Sequence, residues 1–253
     1  MINLKNKIVI ITGGAGFLGV KHAEAIEEYG GIPILIDTNR KELEKIHKKR
    51  KWDTYLGSII YEEELKNICN KILNRYEHID VLINNATNNP RIEDGNGFSK
   101  LESIDKLELQ HDIDVGLIGS ILCTKVFGRE MAKQEKGSII NIGSDLGLIG
   151  PNQSIYKVPK PVSYSVVKAG LIGLTKYTAT YWANKNVRCN YLALGGVYNN
   201  QPKEFVNKLD KLIPLGRMAH EDEYKDIIAY LASDSSSYMT GAIIPVDGGR
   251  TCW

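Results

Sequence analysis

"ITGGAGFLG", residues 11–19, joins an apolar run to a segment of helical periodicity and places glycines at 14, 16 and 19. A G-x-G-x-x-G spacing alone says little. Here a buried-strand pattern, "KIVIITG" (7–13), precedes it, and an amphipathic segment from about Gly16 to Tyr29 follows. Glycine lets the backbone turn tightly and approach a pyrophosphate, whose charge a helix N-terminus favours. The stretch predicts a strand–loop–helix unit cradling a dinucleotide, with Thr12, Gly13, Gly14, Gly16, Phe17, Leu18 and Gly19 as cofactor-contacting residues. The next apolar run, "IPILID" (32–37), ends on Asp37, 18 residues beyond Gly19. A carboxylate there accepts hydrogen bonds from both adenosine ribose hydroxyls and repels a 2′-phosphate, so NAD(H) is favoured over NADP(H). Arg40, three residues on, tempers that preference.

Further short apolar runs alternate with helix-length segments: "DVLINNA" (80–86), "GSIINIGS" (137–144), "VRCNYLAL" (187–194) and "AIIPVDGG" (242–249). Continuous rather than alternating hydrophobicity implies strands buried on both faces, hence a doubly wound parallel α/β sheet with helices on either side. The chain shows neither repeat nor linker, and residues 1–253 read as a single domain. Two polar stretches, at about 87–105 and 195–217, leave this scaffold. Ligands bind beyond the carboxyl ends of such strands, so these are candidate substrate loops.

A net charge of +2 gives no general pull toward nucleic acid. The four cysteines are far apart with no C-x-x-C, which argues against a zinc site and for a reducing compartment. No apolar run is long enough to span a bilayer, and the first strand leaves no room for a signal peptide. The expectation is a cytoplasmic protein with no metal, membrane or nucleic-acid partner.

The pattern Y-x-x-x-K occurs at Tyr156/Lys160, Tyr164/Lys168 and Tyr181/Lys185. Such pairs arise by chance in a chain with 13 tyrosines. Pro159 lies inside the first and Pro161 follows it, which breaks a shared helix face. Tyr164 opens a proline-free segment, so it and Lys168 point the same way. Tyr181/Lys185, at the far end of that helix, reads as a packing tyrosine with a surface lysine. Moving a phenol toward pH 7 takes about 3 pKa units, or about 4 kcal/mol, which a nearby ammonium and an oxidised nicotinamide could supply. A hydroxyl from Ser144 could hold the substrate oxygen while the proton moves.

Taken in order, the glycine motif, "NNA" (84–86), "GSIINIGS", "YSVVKAG" (164–170), "VRCN" and "GAIIPVDGG" make the chain resemble a short-chain dehydrogenase/reductase from end to end. The resemblance implies a Rossmann-type sheet of about seven strands, a nicotinamide cofactor, and hydride transfer at a carbonyl or alcohol carbon. By position, Ser144, Tyr164 and Lys168 are the implied catalytic residues, Lys168 also binding the nicotinamide ribose. Asn84, Asn85 and Ala86 are implied on the adenosine side, with Ser58 and Ile59 near the adenine and Gly195 and Val197 beside the nicotinamide.

The pattern also departs from the family. Phe17 stands where the compact branch has glycine, and Thr87 ends the "NNAT" motif. In "HDIDVGLIG" (111–119), Gly116 occupies the position of the usual catalytic asparagine, and Asp112 or a backbone carbonyl is a candidate replacement. Ser144 and Tyr164 are 20 residues apart, so "NQSIYKVPKPV" forms an inserted loop, placing a third substrate loop at about 150–162. The polar loops favour a sugar-like substrate, with Asn88, Asn152, Tyr156 and Tyr198 as candidate contacts. "PVSYSVVKAGLIGLTKY" and the ending "GGRTCW" resemble oxidoreductases of bacterial surface-sugar and flagellin-modification pathways. Alternatives are a carbonyl or 3-oxoacyl-thioester reductase, or a non-catalytic nucleotide-binding module. Amphipathic segments around 106–134 and 164–183 imply, by the same resemblance, self-association to a dimer or tetramer.

Overall fold

Five of the seven strands are carried by runs of β-branched and leucine side chains that bury on both faces. The structure, a computed structural model, describes residues 2–88 and 100–253. Residues 89–99 of the first predicted substrate loop lie outside the described residues. The strands are β1 (Ile8–Thr12), β2 (Ile32–Asp37), β3 (Asp53–Leu56), β4 (Val81–Asn84), β5 (Gly137–Ile142), β6 (Val187–Leu194) and β7 (Ile243–Val246). They form one parallel sheet in the order β3-β2-β1-β4-β5-β6-β7. The chain leaves β1 in one direction to build β2 and β3, then returns to the other side for β4. A crevice therefore opens between the carboxyl ends of β1 and β4.

Alternate residues of each strand feed opposite cores, as the pleat requires. Val9, Ile11, Leu35, Ile83, Ile140 and Leu192 pack against α1 (Phe17–Glu28) and α8 (Lys225–Ala232). Ile8, Ile10, Ile34, Leu82 and Ile139 pack on the other face against α3 (Glu62–Tyr76) and α5 (Gly119–Lys133). The predicted doubly wound architecture is what forms. β3 has no apolar run to announce it. It is an edge strand with partly exposed side chains, and Tyr76 and Arg75 of α3 bind its Asp53.

α2 (Arg40–Arg50) follows β2 and α7 (Lys203–Asp210) follows β6. The amphipathic segment expected around 106–134 is interrupted. α4 (Lys106–Ile113) passes into a wide π-turn at Asp114–Ile118 before α5 begins. Gly116 and Gly119 make the close approach there: a Cβ on Gly116 would lie 2.5 Å from Val167, and one on Gly119 2.5 Å from Ile59. α6 (Val162–Tyr181) starts just after Pro161 and carries Tyr164 and Lys168 on the face over β5 and β6. Tyr181, read as a packing residue, is instead exposed and stacked on Tyr177 at 5.5 Å. Each ring lies four residues from the other on a helix, which is enough to pair them without a core.

No helix among the described residues is long and apolar enough to cross a membrane.

Candidate active site

The glycine loop wraps tightly because its neighbours leave no room for side chains. Gly13 adopts φ +61° and packs against Ala86, while a Cβ on Gly19 would overlap the Gly13 carbonyl oxygen. Asp37 closes the loop from β2: its Oδ2 accepts from the Ala15 amide at 3.0 Å and its Oδ1 from the Asn39 amide at 2.9 Å. Asn85 donates from Nδ2 to the carbonyls of Thr12 and Gly13 at 3.0 and 3.1 Å. These contacts shape a groove of about 710 Å³ over the β1/β4 crevice. Gly13, Gly16, Phe17 and Leu18 form its floor, and Asp37, Ser58, Ile59, Asn85, Ala86 and Asn88 line it.

Other expected cofactor contacts serve the loop from behind. The Thr12 hydroxyl is buried and accepts from the amides of Asn85 and Ala86, tying β1 to the end of β4. Gly14 and Gly19 are packing positions against Leu35 and Gly13. Asn84 turns inward, where its Nδ2 donates to Asn141 at 2.8 Å and Thr124 at 3.1 Å. His22, buried beneath the loop, is held neutral, its pKa lowered to about 4 by burial.

A second cavity of about 240 Å³ adjoins the groove and is lined by Ser144, Tyr164 and Lys168, with Gly195 and Val197 on the β6 side. Ser144 lies just past β5, and its backbone is clamped by Tyr191 of β6, whose hydroxyl accepts from the Ser144 amide and donates to the Ser144 carbonyl, both at 3.0 Å. Its Oγ donates to Asp145 Oδ1 at 2.8 Å and accepts from the Leu146 amide at 3.1 Å. The Tyr164 hydroxyl lies in the same cavity as the Ser144 side chain, which favours its ionised form. Lys168 Nζ, buried, donates to the Ile142 carbonyl at 2.9 Å and lies 5.7 Å from the Tyr164 ring centre.

Three charged groups meet here; Asp145 and Arg250 were not singled out from the sequence, and Lys160 was read only as half of a pair broken by proline. Asp145 pairs with Arg250 at 2.8 Å, both side chains at most 5% exposed. Lys160 lies over the Tyr164 ring, its Nζ 4.0 Å from the centroid. Its position four residues before Tyr164, on a proline-braced loop, was the available signal. Asp145, beside Ser144, carried one too. Arg250, 105 residues from its partner, carried none.

Burial dominates the acidities. It pushes the Tyr164 phenol up to about 12, the Ser144 side chain opposing and the Asp145 charge adding. The surrounding side chains therefore do not by themselves bring the phenol toward 7; the expected shift also called on an oxidised nicotinamide. Burial lowers Lys168 to about 8, helped by the like charge of Lys160. Burial also lowers Lys160 to about 8, against the pull of Asp145 and Asp112. Both remain mainly protonated at pH 7.

Of the candidate substrate contacts, Tyr156 lines the cavity and packs on Phe205 at 5.4 Å. Asn88 lines the groove, its Nδ2 donating to Asp112 at 2.6 Å. Asn152 does not reach in: it is exposed and caps a turn by accepting from the Ser154 amide and hydroxyl. Tyr198 is likewise half exposed and outside the cavity lining. Asp112, the candidate substitute for the missing asparagine, instead accepts from Asn88 and Ser163.

A family model described as enoyl-(acyl carrier protein) reductase matches residues 15–251. A 3-oxoacyl-(acyl-carrier-protein) reductase of Thermotoga maritima is 31% identical, covering 98% of this chain and 99% of its own. A post-translational flagellin modification protein A of Campylobacter coli is 30% identical over 97% of this chain and 98% of its own. A galactitol 2-dehydrogenase of Rhizobium johnstonii is 28% identical over 99% and 97%. A short-chain dehydrogenase of Leptospira borgpetersenii, solved with bound NAD+, superposes with a TM-score of 0.89 at 29% identity, covering 98% of this chain and 94% of its own. The chain belongs to the short-chain dehydrogenase/reductase family. It is thus an oxidoreductase of the class that acts on alcohols and carbonyls with a nicotinamide cofactor.

Two outcomes follow from the charges. Arg250→Met leaves Asp145 buried without its cation and should cost about 3 kcal/mol or more in urea unfolding, whereas Asp145→Asn/Arg250→Met should recover much of the loss. Lys160 titrates near 8 folded and 10.5 unfolded, so between those values the unfolded state binds more protons and stability rises with pH. Lys160→Met should therefore be more stable than wild type at pH 7, with the gap closing as pH climbs from about 8 to 10.5.

Proposed function

We propose that the chain, acting as one cofactor-binding domain, is an NAD(H)-dependent oxidoreductase for a small, sugar-like substrate, with Ser144, Tyr164 and Lys168 as its catalytic residues. One observation carries this reading: these three side chains meet in a cavity that opens directly into the dinucleotide groove. The groove suits the cofactor. Gly13 and Gly16 leave backbone where a phosphate must approach, and Asp37 presents a carboxylate at the ribose end. When bound, the nicotinamide supplies or accepts the hydride.

The protein's share is the proton and the orientation. Ser144 Oγ holds the substrate oxygen by turning its proton from Asp145 to that oxygen. Tyr164 exchanges the proton at that oxygen. The Lys168 ammonium, fixed on the Ile142 carbonyl, favours the phenolate and binds the nicotinamide ribose.

Polar groups on the cavity wall support a sugar-like substrate: Asn85, Thr87, Asn199, Gln201 and Lys160, facing an apolar patch of Phe205, Leu209 and Met218. At about 240 Å³ the cavity falls below the size usual for drug-like ligands. The likeness to a galactitol dehydrogenase and to a flagellin modification protein agrees with a role in bacterial surface-glycan synthesis. The likeness to a 3-oxoacyl-thioester reductase favours a second reading, which a panel of polyols, sugars and acyl thioesters separates. Exposed Ile121, Val166 and Tyr177 on α5 and α6 suit self-association to a dimer or tetramer.

Tyr164→Phe should lower turnover at least about 100-fold, in the range of a lost acid/base, while NADH still binds by fluorescence titration; undiminished turnover would sink the assignment. Wild type should bind NADH about tenfold or more tighter than NADPH, and Asp37→Asn should narrow that ratio by removing the repulsion of one charge.

A further inference from the structure

The closing turn of the chain carries a guanidinium to the reaction cavity. Gly248 and Gly249 pack tightly on the segment after α7: a Cβ on the first would lie 2.6 Å from Ile213, and one on the second 2.9 Å from Pro214. Asp247 fixes the turn from the β7 side, accepting from the Gly249 and Thr251 amides at 2.9 Å. Arg250, held on this brace, is 5% exposed and lines the cavity with Ser144 and Tyr164.

A guanidinium is a rigid fan of N–H donors. Arg250 Nη1 donates to Asp145 Oδ2 at 2.8 Å, and Asp145 Oδ1 accepts in turn from Ser144 Oγ at 2.8 Å. Among the described residues no other hydrogen bond reaches the Arg250 side chain. Its remaining donors therefore stand two hydrogen bonds from the hydroxyl that holds the substrate oxygen. Tyr156 adds another. It lines the same cavity, feels the Arg250 charge, and its hydroxyl has no hydrogen-bonding partner among the described residues. Buried donors without partners are costly and rare, so donors that gather on a cavity wall are matched by what the cavity receives. Asp145 already answers the charge of this guanidinium. What Arg250 offers a ligand is thus directed N–H groups, which suit a hydroxyl or carbonyl oxygen.

The geometry points to Arg250 as a specificity-determining residue that donates to a second oxygen of the substrate, apart from the one that Ser144 and Tyr164 handle. This rests on the dehydrogenase reading above and narrows its substrate class. The molecule carries an oxygen beyond the reacting carbon, as a polyol or hydroxyketone does and a simple secondary alcohol does not. A site built to hydrogen-bond an oxygen discriminates against an analogue that lacks it, because its own donors are then left buried and unpaired.

The test is titration of the full-length protein saturated with NADH, followed by cofactor fluorescence, with galactitol, xylitol and 2-butanol. At least one polyol should bind about tenfold or more tighter than 2-butanol. Arg250→Lys keeps a cation on Asp145 but removes the planar fork, and should weaken that polyol about fivefold or more while 2-butanol stays within about twofold. Where Arg250→Lys folds poorly in urea unfolding, Asp145→Asn/Arg250→Met, which buries no unpaired charge, should show the same selective loss. The inference is overturned if neither polyol is preferred in wild type, or if the ratio of polyol to 2-butanol affinity is unchanged in the variant. An unchanged ratio with both ligands weakened would make Arg250 a brace for Ser144 alone. Failure of wild type to bind NADH would instead strike the dehydrogenase reading itself.

Discussion

The Asp145 carboxylate is the point on which the reaction cavity is hung. It takes the proton of Ser144 Oγ on one oxygen, together with the Leu146 amide, and the Arg250 guanidinium on the other. An unpaired carboxylate at this depth would be expensive, so its partners are obligatory rather than decorative. One consequence is directional. Asp145 and the Leu146 amide hold Ser144 Oγ in one orientation at the cavity, from which its proton can turn to a substrate oxygen. The other consequence is that the end of the chain is drawn into the site. Asp247 accepts from the Gly249 and Thr251 amides, and Gly248 and Gly249 take φ of +66° and +88°, making the turn that aims Arg250 inward.

Around that point the sheet brings distant segments together by topology alone. The ends of β1, β4, β5 and β6 lie side by side, so the glycine loop, the Asn85 turn, Ser144 and the Gly195 turn share one rim. The wall between groove and cavity is thin. Phe17, Leu18, Asn85, Thr87, Lys160 and Gln201 belong to both. A side chain on that wall touches whatever occupies either space. Phe17, standing where the resemblance leads one to expect glycine, therefore lines the cavity as well as the groove.

What the sequence revealed follows from the range of the interactions. β1, β2, β4, β5 and β6 were legible because burial on both faces leaves an unbroken apolar run. β3 was not, since an edge strand needs no such run. That Tyr164 and Lys168 share a helix while Tyr156 and Lys160 do not was legible because proline acts locally: the helix begins at Val162, just past Pro161. Tyr156 nonetheless reaches the same cavity from the loop. Thr12 and Asn152 misled for one shared reason. A small polar side chain at a strand or turn end is as useful to the backbone as to a ligand, and here the backbone takes it. The Asp145–Arg250 pair was beyond reach, because only the folded sheet joins those two positions.

Gly116 is held to glycine by what packs against it. The resemblance leads one to expect an asparagine there, yet the position faces Val167 so closely that even a Cβ would collide with it. Val167 directly precedes Lys168, so the branched side chain that fills the gap also packs the helix turn carrying the lysine. Returning asparagine alone to 116 would push on that turn and move the ammonium away from the Ile142 carbonyl that fixes it. Gly116 and Val167 thus pack as one unit, with apolar packing where the resemblance leads one to expect a polar side chain. The lysine is then held by the β5 backbone, a contact that depends on the sheet and not on any side chain.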